Sequence, residues 1–112
     1  MPDRDGPRLI YITTGGPDEA RAIGQALVEA RLAACVNILD PMASLFWWEG
    51  EVREGRETVL IAKTTAGLVG ELTEKVRALH SYSCPCVVAL PIEGGNPAFL
   101  DWIGAETGPE GA

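Results

Sequence analysis

Histidine is nearly absent from this 112-residue chain, with His80 the sole imidazole, and cysteine is confined to Cys35, Cys84 and Cys86. Three thiols cannot all pair internally, and a reducing compartment keeps such thiols free. Cys84 and Cys86 are also too close along an extended chain to bridge without strain. Basic residues are few: 9 Lys and Arg stand against 16 Asp and Glu, a formal net charge of −7. An acidic field repels a polyanion, which disfavours nucleic-acid binding through phosphate neutralisation. The same balance tolerates and weakly attracts metal cations. No apolar run approaches the roughly 20 residues of a membrane helix. The polar residues 1–8 lack the apolar stretch of a signal peptide. The expectation is a cytoplasmic protein with no nucleic-acid or membrane partner. G-x-S-x-G, Walker and H-E-x-x-H patterns are missing too, and Gly15-Gly16 and Gly94-Gly95 read as turns, so no enzyme is expected.

What is present is an ordinary globular composition, 46% hydrophobic and 22% charged, at single-domain length. Such a chain buries roughly two thirds of its unfolded surface, enough for a core without staples. Residues 9–13, Leu-Ile-Tyr-Ile-Thr, form a β-branched and aromatic strand stopped by Gly15-Gly16. Pro17 suits a first helical position, and Asp18 and Glu19 suit the positive end of a helix dipole. Ala20, Ile23, Leu27 and Ala30 then recur at helical spacing. Residues 35–39 lead across an irregularity at Pro41 into Leu45-Phe46-Trp47-Trp48. Glu49-Gly50 turns the chain, and the charged residues 51–57 are expected to project into solvent before residues 58–63 return to the core.

Thr64 or Thr65 is expected to cap a second helix carrying Leu68, Leu72, Val76 and Leu79 on one face and ending near His80. Residues 87–90, apolar throughout, predict a central strand. Asn96-Pro97 opens a last helix with Phe99, Leu100 and Ile103. The order strand, helix, strand, strand, helix, strand, helix predicts an α+β fold of the ferredoxin-like split βαβ type (βαββαβ), with a long central hairpin and an appended C-terminal helix. Residues 1–8 are expected to be a flexible lead-in, 9–108 a single domain and 109–112 a tail. Apolar residues on both strand faces favour burial of the open sheet face by self-association.

Several blocks resemble one family. Pro17-Asp18-Glu19, residues 32–38 (Leu-Ala-Ala-Cys-Val-Asn-Ile), Trp48-Glu49-Gly50-Glu51, Lys63-Thr64-Thr65, Leu79-His80-x-Tyr82-x-x-Pro85 and Leu90-Pro91-Ile92-x-x-Gly95-Asn96-Pro97 are similar, in order and spacing, to the CutA-type divalent-cation tolerance proteins. The resemblance runs from about Leu9 to Glu106. It implies a ferredoxin-like protomer in a tight homotrimer whose hairpins pack across subunit edges. It also implies a role in tolerance of divalent metals, chiefly copper, with copper binding in some members and no assigned catalytic reaction.

His80 matches the family's histidine, with Cys84 and Cys86 downstream. Imidazole and thiolate together suit copper or zinc. One reading is a metal site of His80 with one or both thiols, Cu2+ being the ion implied and Cu+ or Zn2+ the alternatives. The other is a helix-capping histidine beside two buried cysteines. Ser81 stands where the family has Pro, and Cys86 where it has Glu, a change from hard oxygen to soft sulfur. Side chains alternate in an extended segment, which puts Cys84 and Cys86 on one face. Cys35 reads as a small hydrophobe in the core. Where some members place a thiol near the end of the first strand, this chain has Thr13 and Thr14.

Lys63, Glu49 and Tyr82 match polar family positions that line an inter-subunit pocket, or else fix subunit register by ion pairing. Phe46, Trp47 and Trp48 read as an interface cluster, since aromatics are enriched at interface centres. A rival function is a trimeric signalling module, resembling the PII nitrogen-regulatory proteins, that binds a small anionic metabolite at the subunit cleft. A third is a non-catalytic trimeric scaffold.

Overall fold

The computed structural model describes residues 6–108. The elements run β1 (Pro7–Thr14), α1 (Pro17–Glu29), β2 (Cys35–Trp48), β3 (Glu51–Thr65), α2 (Val69–Leu79), β4 (Val87–Pro91) and α3 (Pro97–Ala105), with one 3-10 turn at Ala66–Leu68 leading into α2. The strands form one sheet in the order β2-β3-β1-β4, and every neighbouring pair is antiparallel. β1 and β2 are thus parallel with β3 between them, and β3 and β4 are parallel with β1 between them. The result is a mixed α+β fold.

Period-two alternation sends Ile10 and Ile12 of β1 to the helical side. There they lie opposite Ala62 and Leu60 of β3, and all four are fully buried. Ala20, Ile23 and Leu27 of α1 and Leu72 and Val76 of α2 close this core. Gly24 permits the close approach of α1. A Cβ there would stand 2.9 Å from a Val36 methyl and 3.1 Å from one of Leu60. Burial of this apolar set supplies the main driving force for the fold.

Three expectations need correction. β1 begins at Pro7, where Pro7 pairs with Thr65 and Arg8 with Thr64, so part of the expected lead-in belongs to the sheet. Residues 1–5 and 109–112, the rest of the lead-in and the tail, lie outside the described residues. Residues 87–90 form an edge strand, paired with β1 alone. Their apolar run meets α2 and the core through Val87, while Val88 (49%) and Leu90 (47%) stay exposed beside β1. Neither Thr64 nor Thr65 caps α2. β3 continues through both, α2 starts after Leu68, and the Thr64 hydroxyl is buried without a hydrogen-bond partner. Asn96 does cap α3, its Oδ1 accepting from the Ala98 N–H at 3.1 Å.

The β2–β3 hairpin sets the outline of the molecule, 44 × 25 × 23 Å. A register shift between Leu39 and Met42, at the cis Asp40–Pro41 bond, divides it in two. Below the shift β3 is flanked by both β1 and β2. Beyond it, residues 42–48 and 51–57 pair only with each other. Glu49 and Gly50 close the ribbon, both at positive φ (52° and 79°), as a two-residue type I′ turn requires. A two-stranded ribbon is marginal alone in water. This one exposes Trp47 (75%), Leu45 (73%) and Val52 (60%).

Candidate functional site

A polar network gathers at the end of the sheet where β1 gives way to α1 and α2 gives way to the loop before β4. Its centre is His80, at the C-cap of α2, with a side chain 0% exposed. The Nε2 atom lies 2.7 Å from the carbonyl oxygen of Thr13, and Nδ1 accepts the Tyr82 N–H at 3.0 Å. A carbonyl only accepts, and an N–H only donates. The network therefore assigns a neutral imidazole with its proton on Nε2.

Glu19, in the first turn of α1, accepts the Gly15 N–H on Oε1 at 2.8 Å and the Ser81 N–H on Oε2 at 2.7 Å. Burial alone pushes this carboxyl toward the neutral acid. The hydrogen bonds from Gly15 and Ser81 outweigh that cost and hold it below the usual glutamate value. Glu57 of β3 accepts from Ser44 of β2 at 2.6 Å and from the Tyr82 hydroxyl at 3.0 Å. Burial first, then the bond to Glu57 and its charge, push the Tyr82 phenol up to about 12. The His80 and Tyr82 rings lie 4.6 Å apart. Contacts from β1, α1 and β3 thus fix the segment from His80 to Tyr82.

Cys84 and Cys86 follow this anchored segment. Both are free, Cys84 exposed and Cys86 half-buried, and both line a cavity of about 720 Å³. Phe46, Trp48, Leu45 and Gly55 supply its hairpin wall, Thr13, Ser44, Glu57, Tyr82 and Ser83 its polar floor, and Arg53 and Arg56 its cationic side. Arg53 is shared with Glu51 at 3.3 Å and Glu49 at 3.6 Å.

The expected site residues are thus only partly brought together. Cys84, Cys86 and Tyr82 share the cavity with Phe46 and Trp48. His80 is not among the lining residues, and both of its nitrogens are engaged, so it does not fit the role of a metal ligand. Nor does its ring cap the helix; it ties the loop to β1. Among the described residues no group of three or more His, Cys, Asp or Glu side chains is placed to hold a metal ion. The two thiols fit a soft metal by their chemistry and shared exposure.

Lys63, Glu49 and Tyr82 do not converge within the protomer. Lys63 donates to Asn37 beside the start of β2, and Glu49 sits at the hairpin turn near Arg53. The three aromatics are not one cluster either, because the pleat turns Trp47 away from Phe46 and Trp48. Glu19, Glu57 and the two arginines were not anticipated as site residues. Glu57 lies in the charged stretch expected to face solvent. Its signal is one of register: Ser44 lies two residues beyond Met42, the cross-strand partner of Glu57, and so on the same face of the ribbon.

The model of the CutA1 divalent ion tolerance protein family matches residues 8–106. This chain belongs to that family. The divalent-cation tolerance protein CutA of Thermus thermophilus is 48% identical over 100 residues, covering 89% of this chain and 97% of that protein. A solved structure of the Thermus thermophilus protein superposes with a TM-score of 0.89 at 47% identity, over 91% of this chain and 99% of that one. A structure of the Archaeoglobus fulgidus protein, called periplasmic in its name, gives 0.84 at 46% identity, over 87% and 94%. The four-stranded antiparallel sheet with three helices thus matches these CutA structures. Among the described residues no helix is long and apolar enough to cross a membrane.

Proposed function

We propose that this protein is a cytoplasmic, non-enzymatic homotrimer that binds divalent metal, chiefly copper, in metal-ion tolerance. Family membership carries the tolerance role. The strand order supports reading the protomer as a ferredoxin-like split βαβ unit. The outer ribbon supports the trimer: it is two-stranded and exposes Leu45 and Trp47, and at the opposite edge of the sheet β4 exposes Val88 and Leu90. An open edge and an apolar ribbon are both surfaces that a protein covers. Free thiols at Cys35, Cys84 and Cys86 fit a reducing compartment. Metal contact falls to Cys84 and Cys86 in the cavity, with His80 fixing the loop from behind.

One observation favours a second reading. Arg53 and Arg56 line the cavity, which gives a small anionic metabolite a cationic wall. Calorimetric titration of the reduced protein with Cu(II), with Zn(II) and with nucleotides, beside light-scattering mass, separates the two. Saturable metal binding by a species three times the 11.9 kDa chain supports the proposal. Saturable nucleotide binding without metal binding overturns it in favour of the anion.

A further inference from the structure

We propose that Cys84 and Cys86 form a dithiolate that holds copper as Cu(I), with His80 as a positioning residue rather than a ligand. The inference rests on the reading of copper as the ion handled, and names its oxidation state and ligands.

The first observation is placement. Both thiols line the same cavity and both are free. The second is constraint. Pro85 between them has a fixed φ, and Cys84, as the residue before proline, is held to extended conformations. On one side the segment is tied by Glu19, His80 and Glu57; on the other Val87 enters the sheet opposite Ile12. A pair held at both ends loses little conformational freedom when it closes on an ion.

The third observation is ligand count and softness. Zinc sites are closed by four ligands, and even catalytic ones use three from the protein. Among the described residues no such group exists. Two thiolates are soft donors that select Cu(I), an ion that two-coordinate sulfur satisfies. Binding balances without any redox step: two thiols and Cu(I) give a Cu(I) bis-thiolate of charge −1, and two protons pass to water. Arg53, on the same ribbon face as Phe46 and Gly55, lines the cavity on which that negative charge forms. Hydrogen bonds to both ring nitrogens leave His80 no lone pair to offer.

The test is an anaerobic competition in which the reduced full-length protein withdraws Cu(I) from its coloured bicinchoninate complex. The native chain is expected to withdraw one equivalent and to gain a thiolate-to-copper absorption in the ultraviolet. Cys84→Ser and Cys86→Ser each lose both signals and Cys35→Ser keeps them, while His80→Gln keeps the thiolate-to-copper absorption at saturating Cu(I) and withdraws less copper in the competition. No withdrawal by the native chain, or withdrawal that survives both serine variants, overturns the assignment. Cu(II) titration and light scattering on the same samples separate this from the functional reading. A trimer that binds Cu(II) but not Cu(I) overturns the dithiolate and leaves the tolerance proposal standing. A monomer that takes Cu(I) through Cys84 and Cys86 overturns the trimer and leaves the dithiolate.

Discussion

The Nε2–H of His80 donates to the carbonyl oxygen of Thr13 at 2.7 Å, joining the C-terminus of α2 to the last turn of β1 across 67 residues of sequence. With the Tyr82 N–H on Nδ1, this bond makes the only imidazole of the chain a structural fastener. Replacing it with alanine leaves the Thr13 carbonyl and the Tyr82 N–H without their partner and opens a cavity. His80→Ala is expected to lower unfolding stability by about 2–4 kcal/mol, the range for lost buried hydrogen bonds plus a void. Chemical denaturation checks this. A change under about 0.5 kcal/mol, the level of an ordinary surface substitution, would contradict the fastener role.

Glu19 makes the fold acid-sensitive. Its folded-state carboxyl is held below the ordinary value of 4.5, so its contribution is fully present above that value. The contribution drains away as pH falls through the lowered folded value, because the unfolded chain takes up the proton more readily. Glu19→Gln is expected to flatten the stability profile in that window while costing stability at neutral pH. Denaturant midpoints measured from neutral to acid pH test it. Parallel profiles for the two proteins would contradict the assignment.

Tyr82 behaves in the opposite sense. A phenol pushed up to about 12 stabilises the fold while it is protonated. That contribution is present below the ordinary value of 10 and is lost as pH rises toward 12. Tyr82→Phe removes the bond to Glu57 and is expected to cost about 1 kcal/mol at neutral pH. In an ultraviolet alkaline titration the variant lacks the late-ionising phenol. A Tyr82 phenol that ionises near its ordinary value of 10 in the native protein would count against the pairing.

The ribbon prediction concerns assembly. Trp47, at 75% exposure, is the most exposed of the large apolar side chains described, and a charge there costs the protomer little by itself. Trp47→Glu is expected to leave the circular dichroism of the fold unchanged and to lower the light-scattering mass toward the 11.9 kDa of one chain. An unchanged mass would remove Trp47 from the interface.

Much of the fold was legible because local patterns carried it. The β-branched run at residues 9–13, the proline and acidic start of α1, and the paired arms about Glu49-Gly50 all appear where the residues place them. The position of β4 was not legible, since an edge strand and a central strand can share one apolar composition. Thr64 illustrates a different gap. A hydroxyl ahead of a helix looks like a cap until strand pairing with Arg8 claims it.

At the site, Cys84 and Cys86 line one cavity, although Cys84 lies in a bend rather than in the extended segment that alternation requires. The role of His80 lay out of reach, because it depends on which acceptor meets each ring nitrogen, and Thr13 lies far away in sequence. Glu57 was hidden in the same way. A charged ribbon reads as solvated until register and the loop from α2 bring Ser44 and Tyr82 to one of its carboxylates.

X-ray absorption at the copper edge, on the reduced protein loaded with Cu(I), tests the central claim most directly. The account predicts a first coordination shell of sulfur alone, with no imidazole scattering beyond it. A shell containing nitrogen with an imidazole signature would return His80 to the metal and contradict the assignment.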